Sequence, residues 1–199
     1  MNIKDLYSFS FTIIECPIID IKEYLEKATL DSRIVLNNID VEILYFHNMY
    51  LQPIKGIAKG LFYNPDIASN LTIVLGNGRG SWGSLCNNIS VNLLVNNIQI
   101  EINTEKSDIF RNSMAVYDGS LKRYTREVQG HLGDNNKMEF VNGGKPLWFE
   151  NIDYYKRRKI MDRLNKNVLI EYVNKLGIDI TDINLFKTCK KSLYVELGS

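Results

Sequence analysis

Apolar and polar positions alternate in the first hydrophobic stretch, "LYSFSFTII", where Tyr7, Phe9 and Phe11 stand against Leu6, Ser8 and Ser10 before the run turns wholly apolar. That pattern predicts a strand with one buried face, stopped by Pro17. The period then lengthens. Ile21, Tyr24, Leu25 and Ala28 recur at helical spacing in "DIKEYLEKA", behind Asp20 as an N-cap, and predict a short amphipathic helix. "VEILYFH" reads as a second strand from its β-branched and aromatic content. "LTIVL", apolar throughout, reads as a strand covered on both faces. Leu85, Ile89 and Leu93 then repeat every fourth residue in "SLCNNISVNLL", which Ser81 or Ser84 can cap, and "IQIEIN" alternates again. The middle of the chain is therefore a strand, a glycine loop, a helix and a strand.

Between Met114 and Glu150 turn signals crowd together in "YDGS", "LGDNN" and "VNGGKP", separated by short strand-like segments. Asp-Gly and Asn-Gly in that setting predict an antiparallel meander. The last fifty or so residues return to a helical period. "NIDYYKRRKIMDRL" and "NKNVLIEYVNKLG" each carry an apolar stripe, the second with Asn165 to cap its start and Gly177 at its end. "SLYVEL" predicts a terminal strand at a sheet edge. The pattern as a whole is an α+β fold: a mostly antiparallel sheet of about five to seven strands, flanked by helices from the first third and by a C-terminal helical pair. Four prolines, no linker-like tract and no internal repeat leave one domain over residues 1–199, with a soft division near 110.

Composition narrows the class. Hydrophobic residues make up 45% and charged residues 24%, globular averages that argue against a disordered or fibrous chain. No apolar run nears the roughly 18 residues of a membrane span, and "MNIKDLYSFSF" is no signal peptide, so no membrane association and a cytoplasmic location are expected. Cys16, Cys86 and Cys189 are odd in number and far apart, which fits free thiols better than a disulfide framework or a zinc site. The net charge of +1 conceals an asymmetry: residues 1–110 hold 8 Lys+Arg against 12 Asp+Glu, and residues 111–199 hold 16 against 11.

The candidate chemistry is thin. "GNGRGSWGS" has a strand before it and a helix after it, as a phosphate loop would. It lacks the Gly-Lys-Ser/Thr ending, its third glycine comes one residue too early for a dinucleotide fingerprint, and Trp82 crowds the approach. A tight connection is the expectation, with Trp82 covering the core, at least one of Gly76, Gly78 and Gly80 at positive φ, and Arg79 displayed at the tip. A protein-binding loop presenting Arg79 and Trp82 is the alternative that would carry function. A Cys86–His131 nucleophile pair is open, because such pairs meet only in space. No metal-ligand spacing occurs, so neither metal nor cofactor is expected, nor a small-molecule ligand. The basic run Lys156, Arg157, Arg158 and Lys159 plus Lys122, Arg123 and Arg126, with Tyr124, Tyr154 and Tyr155, would supply a nucleic-acid face or a small enzyme's site if the basic C-terminal half is functional.

One resemblance goes further. Glu139-Phe140, Gly143-Gly144, Phe149-Glu150, Tyr154-Tyr155, Asp162-Arg163-Leu164 and Leu176-Gly177-Ile178 punctuate the segment from Met138 to Ile180. That segment resembles a module of bacterial immunity proteins that accompany polymorphic toxins and contact-dependent growth inhibition systems. The resemblance implies a non-enzymatic cytoplasmic protein that binds a cognate toxin domain and neutralises it, with no catalytic residues. Its partner-binding candidates here are Arg79, Trp82, Arg123 and Arg126. Inhibitors of cationic nucleases are often strongly acidic, and this near-neutral chain departs from that pattern.

Overall fold

A computed structural model describes residues 8–28, 34–39, 43, 57–77, 81–103 and 111–198. The chain divides into two compact units. An N-terminal unit comprises Phe11–Asn97, Asp118–Lys122 and Asp182–Ser199, and a C-terminal unit comprises Met1–Ser10, Ile98–Tyr117 and Arg123–Thr181. The first crossing after Ser10 thus falls between Asn97 and Ile98, ahead of the soft division expected near residue 110.

The N-terminal unit contains β1 (Ser8–Ile14, through its residues from Phe11 on), α1 (Ile18–Ala28), β2 (Ile34–Ile39), β3 (Ile57–Tyr63), β4 (Thr72–Gly76) and α2 (Ser81–Leu93). Its strand order, β2-β9-β3-β4-β1, takes in the last strand of the chain, β9 (Ser192–Gly198). The β9 segment was expected at a sheet edge; instead it lies between β2 and β3, antiparallel to both, with Leu36 opposite Val195 and Leu61 opposite Tyr194. β4 is antiparallel to both β1 and β3. Ile14, Phe62, Val74, Leu193 and Val195 meet Ile18, Ile21 and Leu25 of α1 and Trp82, Cys86 and Ile89 of α2 in one buried cluster. The alternate residues Leu61, Tyr63, Ile73 and Leu75 are buried too, so β3 and β4 are covered on both faces, as the unbroken apolar run of β4 requires. "VEILYFH" lies outside the described residues, except for Ile43, which is buried.

Asp20 does not cap α1, which begins two residues earlier. The orphan N–H of Ile18 donates instead to Asn64 Oδ1 at 2.9 Å, and Asn64 Nδ2 donates to Thr72 Oγ1 and to the Leu71 carbonyl. A buried amide forty-six positions away does the capping that the local sequence assigned to Asp20.

Trp82, at the start of α2, is 5% exposed and covers the core. The room for it comes from two glycines. A Cβ on Gly60 would stand 2.6 Å from Trp82 Cη2, and one on Gly76 would overlap the same indole at Cδ1. Gly76 is not at positive φ; its missing side chain serves space rather than backbone angle. Gly78, Arg79 and Gly80 lie outside the described residues.

In the C-terminal unit β5 (Asn96–Asn103, from Ile98 on), β6 (Arg111–Asp118), β7 (Arg123–Leu132) and β8 (Met138–Gly144) follow one another in space as they do in sequence. β7 and β8 form an antiparallel hairpin with Gly130 opposite Phe140. Nine strands are present among the described residues, against the five to seven expected, and the fold is α+β with every described ladder antiparallel.

A C-terminal helical pair follows, α3 (Ile160–Arg163) and α4 (Lys166–Lys175). The stripe over residues 151–164 predicted one long helix; only a 3₁₀ turn at Tyr154–Lys156 and the single turn of α3 form there, because Arg157 and Lys159 take extended backbone. α4 buries Val168, Leu169, Tyr172 and Val173, and Asn165 Oδ1 caps it by accepting from the Val168 N–H at 3.1 Å.

Candidate interaction surface

The site is built outward from a buried ion pair in the C-terminal unit. Arg126 on β7 and Glu150 both have side chains with no exposure. Arg126 Nε donates to Glu150 Oε1 at 2.8 Å and Nη2 donates to Oε2 at 2.6 Å, a two-pronged pairing of planar groups. Arg126 Nη1 reaches back to the carbonyls of Gly143, at 2.7 Å, and Gly144, at 3.2 Å, on β8. Glu150 Oε2 also accepts from the Tyr155 hydroxyl at 2.5 Å, and Oε1 from the Leu147 N–H at 2.8 Å. Burial alone would push the Glu150 carboxyl upward; the donors from Arg126, Tyr155 and Leu147 outweigh it and hold it below its ordinary value. The Tyr155 hydroxyl is pushed up by burial and by the neighbouring Glu150 charge.

Glu150 also shapes the backbone. Its N–H donates to the Leu147 carbonyl at 3.0 Å while its carboxylate accepts from the Leu147 N–H, so the turn Leu147–Glu150 is closed from both ends. Its two central residues part company. Phe149 is 3% exposed and packs edge-on against Tyr172 of α4, with ring centroids 5.9 Å apart. Trp148 is 78% exposed, the most exposed large hydrophobic side chain among the described residues, and its ring meets Phe149 edge-on at 5.6 Å. A buried charge pair thus fixes a turn that holds an indole out in solvent.

Beside this turn the surface is polar and ordered. Lys175 Nζ donates to the Phe149 carbonyl at 3.2 Å and pairs with Glu171 at 2.8 Å; Glu171 Oε2 accepts from the Tyr154 hydroxyl at 2.8 Å. The Arg157 guanidinium lies 4.0 Å above the Tyr154 ring. Asn167, Ile170, Glu171, Asn174 and Lys175 line a shallow open groove along α4.

Of the residues singled out by sequence, Arg123 is exposed at the start of β7 and Arg79 lies outside the described residues. Trp82 and Arg126 have no surface to offer a partner: the indole fills the space left by two glycines, and the guanidinium is consumed by Glu150 and two carbonyls. The same burial removes Arg126 and Tyr155 from any nucleic-acid face, and Tyr154 already carries Arg157 on its ring. Cys86 sits in the core of the N-terminal unit, its thiol pushed up to about 12 by burial against the smaller effect of a Thr12 hydrogen bond. His131, in the C-terminal unit, has its Nε2 3.5 Å from a carboxylate oxygen of Glu139. No group of three or more potential metal ligands occurs among the described residues. None of their helices is long and apolar enough to cross a membrane.

Trp148 escaped the sequence reading, although "KPLWFEN" holds the signal. Two adjacent aromatics in a tight turn cannot both face inward. No protein-family model matches the chain, and neither a curated protein nor a solved structure matches it.

Proposed function

We propose that this chain is a non-enzymatic immunity protein that binds a cognate bacterial toxin domain in the cytoplasm and neutralises it, using the turn that presents Trp148. The observation that carries the reading is an indole 78% exposed on a turn locked from beneath by a fully buried ion pair. Exposed aromatics on rigid supports are the usual anchors of protein interfaces, because they bring large contact area at little cost in conformational entropy. The resemblance of the segment from Met138 to Ile180 to toxin-immunity modules supplies the kind of partner, and Trp148 lies inside that segment. The strongly perturbed groups point away from catalysis: Arg126, Glu150 and Tyr155 satisfy one another, and burial keeps the Cys86 thiol protonated at neutral pH.

The test starts from the gene immediately upstream of this chain's own, where the reading expects a large toxin gene. Its product's C-terminal domain, induced in a laboratory bacterium, should arrest growth, and co-expression of the full chain should restore it, with a stable complex on gel filtration. An arrest that the well-expressed, folded chain does not relieve would sink the reading.

A further inference from the structure

Resting on that reading, we propose that the toxin surface received beside Trp148 is acidic, and that the cationic ridge running from Lys175 to Arg157 and on through Arg158 and Lys159 steers it into place. The ridge is continuous with the indole. Trp148 touches Phe149, whose carbonyl holds Lys175; Lys175 holds Glu171, Glu171 holds the Tyr154 hydroxyl, and the Tyr154 ring carries Arg157. Arg157 is fixed further by donating from Nη1 to the Asp162 carbonyl at 2.9 Å and by its own carbonyl accepting from Arg163 Nε at 2.7 Å.

Charge accounting sets the partner's sign. Residues 145–175 hold eight Lys and Arg against four Asp and Glu. Of those acids, Glu150 is buried on Arg126, Asp153 is held by Lys156 at 2.7 Å and Glu171 by Lys175, which leaves the exposed Asp162 as the one carboxylate there without a cation on it among the described residues. Lys145, Arg158 and Lys159 are exposed, and their side chains make no hydrogen bond or ion pair among the described residues. A positive surface around an apolar anchor is complementary to carboxylates around an apolar recess, and a guanidinium already ordered on a tyrosine ring loses little freedom on docking. A single-stranded nucleic acid would stack successive bases on open aromatic faces. Beside Trp148, Tyr155 is buried and Tyr154 is covered by Arg157, so the region offers one open indole rather than a run of stacking rings, and a folded acidic protein surface fits better.

The experiment measures association and dissociation rates of the full chain with the toxin domain of the rescue assay across a salt series. For wild type the association rate should fall steeply with salt. Arg158→Glu combined with Lys159→Glu removes no internal contact and should slow association by about tenfold or more at low salt while leaving dissociation nearly unchanged. Trp148→Ala should do the reverse, speeding dissociation by about tenfold or more, and Leu94→Ala, exposed in the N-terminal unit, should change neither rate. A wild type that neutralises while the charge-reversed and Trp148 variants bind with wild-type rates overturns the inference and leaves the immunity reading standing. A wild type that fails to neutralise overturns both. Binding of poly(U) RNA or duplex DNA at low salt, lost on the same charge reversal, would reassign the ridge to nucleic acid.

Discussion

Arg126 spends its donors completely on one carboxylate and two carbonyls, and the energetics of the Trp148 turn hang on that arrangement. Two charges inside a protein stabilise little beyond a well-packed apolar pair, but removing one of them strands the other. Glu150→Ala is therefore expected to cost about 3–5 kcal/mol in denaturant unfolding, and Arg126→Met with Glu150→Leu to cost clearly less than the two single changes added. The pH dependence has a fixed sign. Glu150 is held below its ordinary value of 4.5 in the folded state, so its contribution is fully present above that value and is lost as pH falls through the folded pKa. Stability followed by urea titration should be level from neutrality to about pH 5 and decline below 4.5, and Glu150→Gln should flatten that decline. Gly76 depends on contact instead of charge. Gly76→Ala drives a methyl into the Trp82 indole and should cost about 1–3 kcal/mol, a penalty that shrinks when Trp82→Leu is made first. An undiminished penalty would mean the glycine serves something other than the indole.

At the scale of the element, the parts whose causes are local were legible and the parts with remote causes were not. α4 could be placed from sequence because both its ends are determined within a few residues. Asn165 accepts from the Val168 N–H, and the far end closes as a Schellman motif: Ile178 N–H to the Val173 carbonyl at 3.2 Å, Gly177 N–H to the Asn174 carbonyl at 2.9 Å, and Gly177 at φ 81°. Each end can be checked by thermal unfolding. Asn165→Ala should cost about 1 kcal/mol, and Gly177→Ala a similar amount purely from backbone angle, since nothing lies within 4 Å of a Cβ there. The start of α1 was misplaced by three residues, at Ile21 behind Asp20 instead of Ile18, because its cap comes from Asn64, and no local pattern announces that. β2 and β3 were missed because "RIVLNNI" and "GIAKGLFY" mix asparagine, lysine and glycine into their runs; pairing with β9 from the chain terminus makes them strands. The long helix expected over residues 151–164 failed for a related reason. Tyr155 is bonded to Glu150 and Tyr154 to Glu171, and those tertiary anchors take precedence over the helical period. Of the candidate surface, Trp148 was passed over and Arg126 was counted as exposed, because a lone arginine in a strand gives no sign of a carboxylate twenty-four residues ahead.

For the whole molecule, the three cysteines report which parts open and when. Cys16 and Cys86 belong to the same buried cluster of the N-terminal unit, beside Ile14, Trp82 and Val195, and burial pushes both thiols up to about 12. Neither has thiolate to react at neutral pH while the core is closed, so labelling of either requires an opening that exposes that core. Cys189 is exposed in the same unit, with its N–H donating to Asp66 Oδ1 at 2.8 Å; its thiol is raised as well, by a hydrogen bond to Asp66 and that residue's charge. The expected outcome in native buffer at neutral pH is that a thiol reagent labels Cys189 first and that all three react in denaturant. With Cys189→Ser as background, Cys16 and Cys86 should label with equal opening free energies, because a shared cluster cannot expose one thiol without unpacking the other's neighbours. Mass spectrometry of the labelled peptides reads this directly. Cys86 reacting as fast as Cys189 would show that α2 is not packed as described, and unequal opening of Cys16 and Cys86 would show that α1 and α2 leave the sheet separately.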